Sequence, residues 1–372
     1  MSFIINFEQL PNMKKIFIAL FMMVGALSVQ AQDIHFSQFY LSPLNLNPAM
    51  TGVMNCNVRL VANYRNQWAS VLKNNAFSTY SVSYDQRIPV GRYDYFGVGG
   101  TFWGDRAGES NFSTTTGKLA FSYSKRMGGY RDKNHYLVVG VQGGAAQRSI
   151  DFLNLRWPNQ HDGEGGFDPS IGSGETGLVN DNFIFADFEA GLLWFTVLNE
   201  NSNFYIGGAF HHLTSVDQSF YDESANVDQG GTTLYPRFTG HVGGEFMVGN
   251  NFGLVPGLIV MRQGPSFQTN FGTSLKFLLG NTRFNYQAFQ IGGWVRLANR
   301  YQNEETAKGL GILSDAAILS TRFDYNDFSL GFSYDINISP LATASGGNGG
   351  FEFALVYKIC GQEKRNVYCP RF

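Results

Sequence analysis

The sequence predicts an all-β fold: a transmembrane antiparallel β-barrel of about 14 strands, preceded by an N-terminal segment outside the strands. Three observations lead to this prediction. Apolar and polar side chains alternate along many segments, and several of these segments reach the ~9–11 residues that a tilted strand needs to cross a bilayer. Gly accounts for 44 of 372 residues and aromatic residues for 15%, a composition typical of many strands joined by tight turns. Charged residues make up only 15%, which excludes a broad basic surface for nucleic acid.

Residues 1–31 are predicted to be a secretory signal peptide with an upstream extension. Lys14 and Lys15 precede the apolar run 16–29, and small residues ending at Ala31 form a cleavage pattern. The run is shorter than the ~20 apolar residues of a membrane-spanning helix, so cleavage is favoured over a membrane anchor.

The segment 32–57 does not alternate and is rich in aromatic residues, Pro and Asn. It is interpreted as a periplasmic arm or as a plug inside the barrel. The plug is favoured because Phe36, Phe39, Tyr40 and Leu41 would be costly to leave in water, and because a lumen of this size is either filled or wet.

The barrel is predicted to span residues 58–358. In the clearest run, Ile184, Phe188 and Leu192 share one face while Asp187 and Glu189 share the other. The fourteen predicted strands cover residues 58–65, 78–86, 93–103, 113–125, 135–149, 183–196, 203–212, 236–248, 252–262, 267–278, 284–297, 316–325, 328–335 and 351–358. Residues 359–372 are left as a periplasmic tail.

Charged side chains on the polar face of these strands should line the lumen. They are expected to pair with one another and to help hold a plug or a bound tail; they are Glu189, Arg237, Glu245, Arg296, Asp335 and Glu352. Tyr residues near many strand ends are expected to form aromatic girdles at the membrane interfaces; they are Tyr93, Tyr95, Tyr123, Tyr205, Tyr235, Tyr301, Tyr325, Tyr334 and Tyr357.

The predicted long connections fall at one end of the barrel and the short ones at the other. The long ones are residues 104–112, 150–182, 213–235, 298–315 and 336–350. Bacterial outer-membrane barrels have long extracellular loops and short periplasmic turns. The prediction is therefore an integral outer-membrane protein with extracellular loops and both termini in the periplasm.

Three cysteines follow the predicted signal. Cys56, Cys360 and Cys369 are candidates for one disulfide, and the sequence leaves all three pairings open. A zinc site is disfavoured because no ligand His lies near them. His211 and His212 are adjacent on a predicted strand, so they should face opposite ways and not chelate a metal together. No metal site is predicted.

Several segments resemble those of the PorP/SprF family. Residues 35–52 contain Asn-Pro-Ala, residues 64–68 read Tyr-Arg-Asn-Gln-Trp, and the similarity continues at 332–341, 350–357 and 369–372. The resemblance implies an outer-membrane barrel of the type IX secretion system of Bacteroidota, connected in some members with gliding motility. It also implies partners: a large secreted surface protein bearing a C-terminal sorting domain, the secretion machinery, and outer-membrane lipid.

Aromatic residues on the Gly-rich long loops are the candidates for cargo contact, since a rigid ring adds contact area at low entropic cost. They are Trp157, Phe167, Phe220, Tyr221 and Tyr235. The sequence contains no phosphate-binding loop, nucleophile elbow or metalloprotease motif, so no enzyme, catalytic residue or cofactor is predicted. Two other functions stay open: a passive or plugged channel for small solutes, and an envelope anchor for periplasmic secretion or gliding machinery.

Overall fold

The computed structural model describes residues 33–130, 133–161, 166–168, 170–174, 181–199, 202–220, 233–282, 285–299 and 311–361. The predicted signal peptide and most of the predicted tail lie outside these residues, as do Tyr221, Tyr301 and Cys369.

The described part of the chain contains fourteen strands, which form one closed antiparallel barrel. They are β1 Val58–Gln67, β2 Phe77–Val90, β3 Asp94–Ala107, β4 Phe112–Tyr130, β5 Lys133–Ser149, β6 Asn182–Asn199, β7 Ser202–His211, β8 Arg237–Met247, β9 Phe252–Gln263, β10 Ser266–Thr282, β11 Asn285–Asn299, β12 Ile312–Tyr325, β13 Phe328–Asn337 and β14 Asn348–Ile359. Each strand pairs with its neighbours in sequence, and β1 pairs with β14 from Val58 opposite Ile359 to Gln67 opposite Gly350. The predicted fold class and strand number are confirmed.

Most strands are longer than predicted. β4 covers Phe112–Tyr130 where the side-chain alternation indicated only 113–125. Hydrogen bonds between two hairpin strands depend on the main chain, so pairing continues beyond the part of the strand whose side chains alternate.

The connections separate into two ends of the barrel. At the short-turn end, the joins after the even-numbered strands contain two to four residues. At the long-loop end, the joins after the odd-numbered strands include 150–181 and 212–236. The predicted loop 104–112 is reduced to 108–111, since β3 and β4 extend into it.

Side chains alternate across the barrel wall as predicted. Along β13, Leu330 is 57% exposed on the outer face, whereas Ser333 and Asp335 face inward and are buried. Two of the residues expected in the aromatic girdles, Tyr95 and Tyr205, are buried inside instead. Each occupies an inward position in its strand, and the position in the alternation decides the face regardless of residue type.

The helices in the described residues are single turns: Phe39–Leu41, Pro43–Leu46, Pro48–Met50, Ala69–Leu72, Lys73–Asn75, Phe152–Asn154, Pro158–Gln160 and Ala342–Ser345. No helix in the described ranges has the length and apolar character to span a membrane.

Candidate functional site in the lumen

Residues 34–57, here called the lumenal segment, run through the interior of the barrel. Asn45 donates a hydrogen bond to Ser81 on β2, Asn47 lies 3.0 Å from His241 on β8, and Tyr40 stacks on Trp294 of β11. These strands lie on different sides of the barrel, so the segment fills the lumen rather than lying against one wall.

The four apolar residues singled out in this segment all lie within the barrel. Phe36, Phe39 and Leu41 are buried and Tyr40 is half-buried. Phe39 meets the Trp294 ring edge to face, with 5.7 Å between the ring centroids.

The lumenal segment begins at the long-loop end and finishes at the short-turn end. The Ile34 carbonyl accepts a hydrogen bond of 3.0 Å from Arg237, the first residue of β8, whereas the Met54 carbonyl accepts one of 2.9 Å from Arg87 beside the β2–β3 turn. The first described residues therefore lie at the long-loop end. The sequence analysis assigned both termini to the opposite, short-turn end. The reason is steric: a segment that threads the lumen lengthwise must start at the end opposite to β1.

A network of buried charges holds the start of the lumenal segment. The Glu352 carboxylate accepts hydrogen bonds from the main-chain N–H groups of Ser37 (2.6 Å) and Gln38 (3.0 Å). The Ser37 hydroxyl donates to Asp335 and accepts from Arg65 (2.8 Å) and Arg296 (3.1 Å). Both arginines also pair with Asp335, and Arg65 pairs with Glu352. The network thus combines two carboxylates and two guanidinium groups around one serine.

His35 lies beside this network. Burial, together with the guanidinium groups of Arg65, Arg296 and Arg237, holds the pKa of His35 well below its ordinary value, and the carboxylate of Asp335 opposes them only in part. His35 is therefore neutral at pH 7 when the segment is docked.

A second ion pair holds the end of the lumenal segment. Arg59 on β1 binds Asp85 on β2 through two hydrogen bonds of 3.0 and 2.8 Å, and both side chains are buried. Arg59 also donates to the main-chain carbonyl of Met50, and Asp85 accepts from the N–H of Gly52. Each charge of the pair therefore satisfies main-chain atoms of the segment as well as its partner.

The middle of the segment packs against glycines in the wall. A Cβ on Gly140 would collide with the main chain of Ala49, and one on Gly191 would collide with the Asn47 carboxamide. Asn47 also donates to the main-chain carbonyl of Leu192. Glycine at these two positions is what lets the Pro48–Met50 turn approach the wall.

A third buried cluster joins β4, β6 and β7. Lys118 pairs with Asp187 (2.6 Å) and Glu189, while His212 lies 2.9 Å from Asp187 and His211 lies 2.9 Å from Glu189. The prediction that the two histidines face opposite ways is wrong, because the strand ends at His211 and His212 takes a positive φ of 55°. Within the described ranges, no set of His, Cys, Asp and Glu is arranged to hold a metal ion.

Sequence reasoning placed Glu189, Arg237, Glu245, Arg296, Asp335 and Glu352 in the lumen, and all are buried there. It missed Arg65, Lys118 and Lys276, which pair with carboxylates of this set. It also missed the separate pair of Arg59 and Asp85, and all five residues occupy inward positions of their strands. The signal that identifies them is a charged residue on the polar side of an alternating run.

Cys56 and Cys360 form a disulfide, with 4.3 Å between their Cα atoms. Cys56 ends the lumenal segment just before β1, and Cys360 directly follows β14. The bond therefore connects the two ends of the barrel chain at the point where the sheet closes.

A cavity of about 350 Å³ lies beside this disulfide at the short-turn end. Lys276, Arg322 and Lys358 line it together with Asp324 and Asp327. Such a mixed, charged cavity suits water or a polar group of a partner rather than an apolar ligand.

The candidate cargo-contact residues lie at the long-loop end, in different settings. Phe167 is 36% exposed and Tyr235 is 40% exposed, while Trp157 is half-buried. Phe167 packs against the His161 ring, and the Arg156 guanidinium lies over its face. All three rings keep an accessible surface, and that of Phe167 is held in place by its neighbours.

Phe220 has a different setting. Its ring packs against Phe112, Phe152 and Phe183, with centroid distances of 5.1 to 6.3 Å. It therefore connects the β7–β8 loop to the β5–β6 loop.

The sequence of this barrel matches the profile of a known protein family. The profile described as "Type IX secretion system membrane protein PorP/SprF" matches residues 28–357. The chain belongs to the PorP/SprF family. A member of this family with a closed 14-strand barrel is an outer-membrane component of the type IX secretion system, and the family resemblance seen in the sequence is confirmed.

Two solved barrels of other proteins are distantly similar to this chain. CdiB from Escherichia coli is 9% identical with a TM-score of 0.45, over 80% of this chain and 63% of that one. The TodX monoaromatic hydrocarbon channel, as a deltaS2 mutant, is 11% identical with a TM-score of 0.46, over 86% of this chain and 94% of that one. The PorP/SprF chain thus spans less than two thirds of CdiB. No curated protein matches the sequence.

Proposed function

We propose that this protein binds a large secreted protein through its C-terminal sorting domain and retains it at the cell surface, without catalysing a reaction. Membership of the PorP/SprF family carries the proposal. In the proposed orientation the long-loop end faces the exterior and the short-turn end faces the periplasm, as in other bacterial outer-membrane barrels.

The long-loop end offers a suitable contact surface. Partly exposed rings lie at Trp157, Phe167 and Tyr235. The Phe167 ring is held by His161 and Arg156, so little entropy is lost when a partner covers it. Phe220 supports this surface from below, because its ring packs the two longest loops together.

A freely open solute channel is less well supported. The lumenal segment crosses the interior and makes hydrogen bonds with strands on several sides. In the proposed role the barrel is a receptor and anchor, and its cavity at the short-turn end faces periplasmic parts of the secretion machinery.

The test is replacement of residues 213–235 by a short Gly-Ser linker in the native host. We expect the surface-retained cargo to be lost while the barrel still shows heat-modifiable migration on gels. Replacement of residues 339–346, on the same end but without aromatic residues, is the control and should retain cargo. Unchanged retention after the first replacement would remove this loop from the proposal.

A further inference from the structure

The start of the lumenal segment, residues 34–38, is bound through three main-chain groups and the Ser37 hydroxyl. Glu352 accepts from two consecutive N–H groups and Arg237 donates to the Ile34 carbonyl; the Ser37 hydroxyl is the side-chain group that enters the charge network. Any extended peptide presents the same main-chain groups, and Ser or Thr supplies the hydroxyl. The wall therefore recognises an extended peptide backbone with one Ser or Thr hydroxyl, rather than one particular sequence.

These residues fit their site imperfectly. The side chain of Gln38 is 1% exposed, yet neither its nitrogen nor its oxygen has a hydrogen-bond partner among the described residues. A small open pocket of about 30 Å³ lies beside Ile34, His35 and Phe36. Burying an unpaired amide is unfavourable, so the Gln38 side chain lowers the stability of the docked state.

The later part of the lumenal segment has anchors of its own, one of them covalent. Phe39 and Tyr40 pack on Trp294, Met50 is fully buried and bonded to Arg59 through its carbonyl, and Cys56 is covalently fixed to the end of β14. Residues 34–38 lie at the long-loop end of this arrangement, so they can leave through that mouth while the rest of the segment stays in place.

We propose that Asp335 and Glu352, flanked by Arg65 and Arg296, form a peptide-binding site at the long-loop mouth, which residues 34–38 occupy until an extended Ser- or Thr-containing peptide of a partner displaces them. The carboxylates take two consecutive N–H groups and the hydroxyl of the incoming peptide, as they do with Ser37. The inference goes beyond cargo capture by the loops and does not depend on it, because its test uses a synthetic peptide.

The probe is a fluorescent hexapeptide with the sequence of residues 33–38, added to the full-length barrel in mild detergent. The Ser37→Pro variant lacks both the N–H and the hydroxyl at this position, so residues 34–38 should occupy the site less. We expect this variant to bind the hexapeptide at least ten times more tightly than the unmodified protein. A hexapeptide with Pro in place of Ser should not bind, and adding Glu352→Gln to the variant should abolish binding.

A second measurement follows displacement without disturbing the network. Gln38→Cys and Met50→Cys are made separately in a Cys369→Ser background, and each is treated with a bulky water-soluble thiol reagent. Saturating hexapeptide should speed modification of Gln38→Cys at least tenfold and leave Met50→Cys unmodified. Absence of peptide binding to a correctly migrating Ser37→Pro barrel, binding that survives Glu352→Gln, or equal modification at both cysteine positions would overturn the proposal.

Discussion

At the scale of single residues, the interior of this barrel is organised by buried ion pairs that also bind main-chain atoms. Arg59 and Asp85 show the pattern: each is almost fully buried, and each completes its hydrogen bonds with the backbone of the lumenal segment. Removing a pair of charges from water is costly, and this cost offsets much of the attraction between them. The main effect of such a pair is therefore to fix the position of the segment, and its net contribution to stability is small.

Asp85→Asn should therefore be severely destabilising. It leaves the Arg59 guanidinium buried without its counter-charge, at a cost of about 3–5 kcal/mol in the free energy of unfolding. Urea unfolding of the barrel in lipid vesicles measures this. Glu109→Gln removes one partner of an exposed pair, in which Arg156 lies 3.6 Å away, and should change stability by about 0–1 kcal/mol. Similar losses in the two variants would contradict the role given to Asp85.

His35 should make docking of the lumenal segment sensitive to acid. When released into water it binds a proton near pH 6.5, whereas the docked residue does so only at lower pH, because burial and the nearby Arg65, Arg296 and Arg237 oppose the charge, with Asp335 offsetting them in part. The released state thus binds more protons as the pH falls below 6.5. Docking should weaken by up to about tenfold for each pH unit until the docked residue also protonates.

Hydrogen exchange of residues 34–38, corrected for the intrinsic pH dependence of amide exchange, measures this effect. Protection should be constant above pH 7 and fall between pH 6.5 and 5. The His35→Gln variant should show a flatter profile over the same range, since its side chain does not titrate. An identical acid-dependent loss in that variant would assign the effect to another group.

At the scale of the element, each strand has one face that points out of the barrel and one that points into the lumen. On β12, Leu319 is 52% exposed near the middle of the outer face and Tyr325 is 49% exposed at the short-turn end of the same face. The outward face meets hydrocarbon only along the central part of the strand, so the same substitution should differ in cost with depth.

Leu319→Arg should cost roughly 2–4 kcal/mol in barrel stability, and Tyr325→Arg about 0–1 kcal/mol, because the second side chain reaches the interfacial region. The measurement is unfolding in vesicles, together with the fraction of barrel that assembles. Equal costs at the two positions would mean that β12 does not cross the bilayer as described.

At the scale of the whole molecule, the barrel closes by pairing the first strand with the last, and the Cys56–Cys360 disulfide fixes the same closure covalently. The bond also fixes the end of the lumenal segment. It joins residues 304 apart in sequence, so it removes a large set of conformations from the unfolded chain.

Replacing both cysteines by Ser should lower the free energy of unfolding by about 2–5 kcal/mol. The temperature at which the barrel loses its heat-modifiable form should drop, and reductant should produce the same drop in the unmodified protein. Cys369→Ser, which leaves this bond intact, is the control. Unchanged stability in the double variant would show that strand pairing alone secures the closure.

The sequence by itself determined the barrel, its fourteen strands and, along the clearest runs, the outward side of the strand, because an alternation of period two shows directly which side chains share a face. Its motifs also indicated the family, which the profile match confirms. The partners within the lumen were decided only by the tertiary structure. Ser37 lies 298 residues before Asp335, and Arg59 binds carbonyls that a non-alternating segment brings back into the barrel. Such contacts depend on how the closed cylinder is filled, and no local pattern in the chain encodes them.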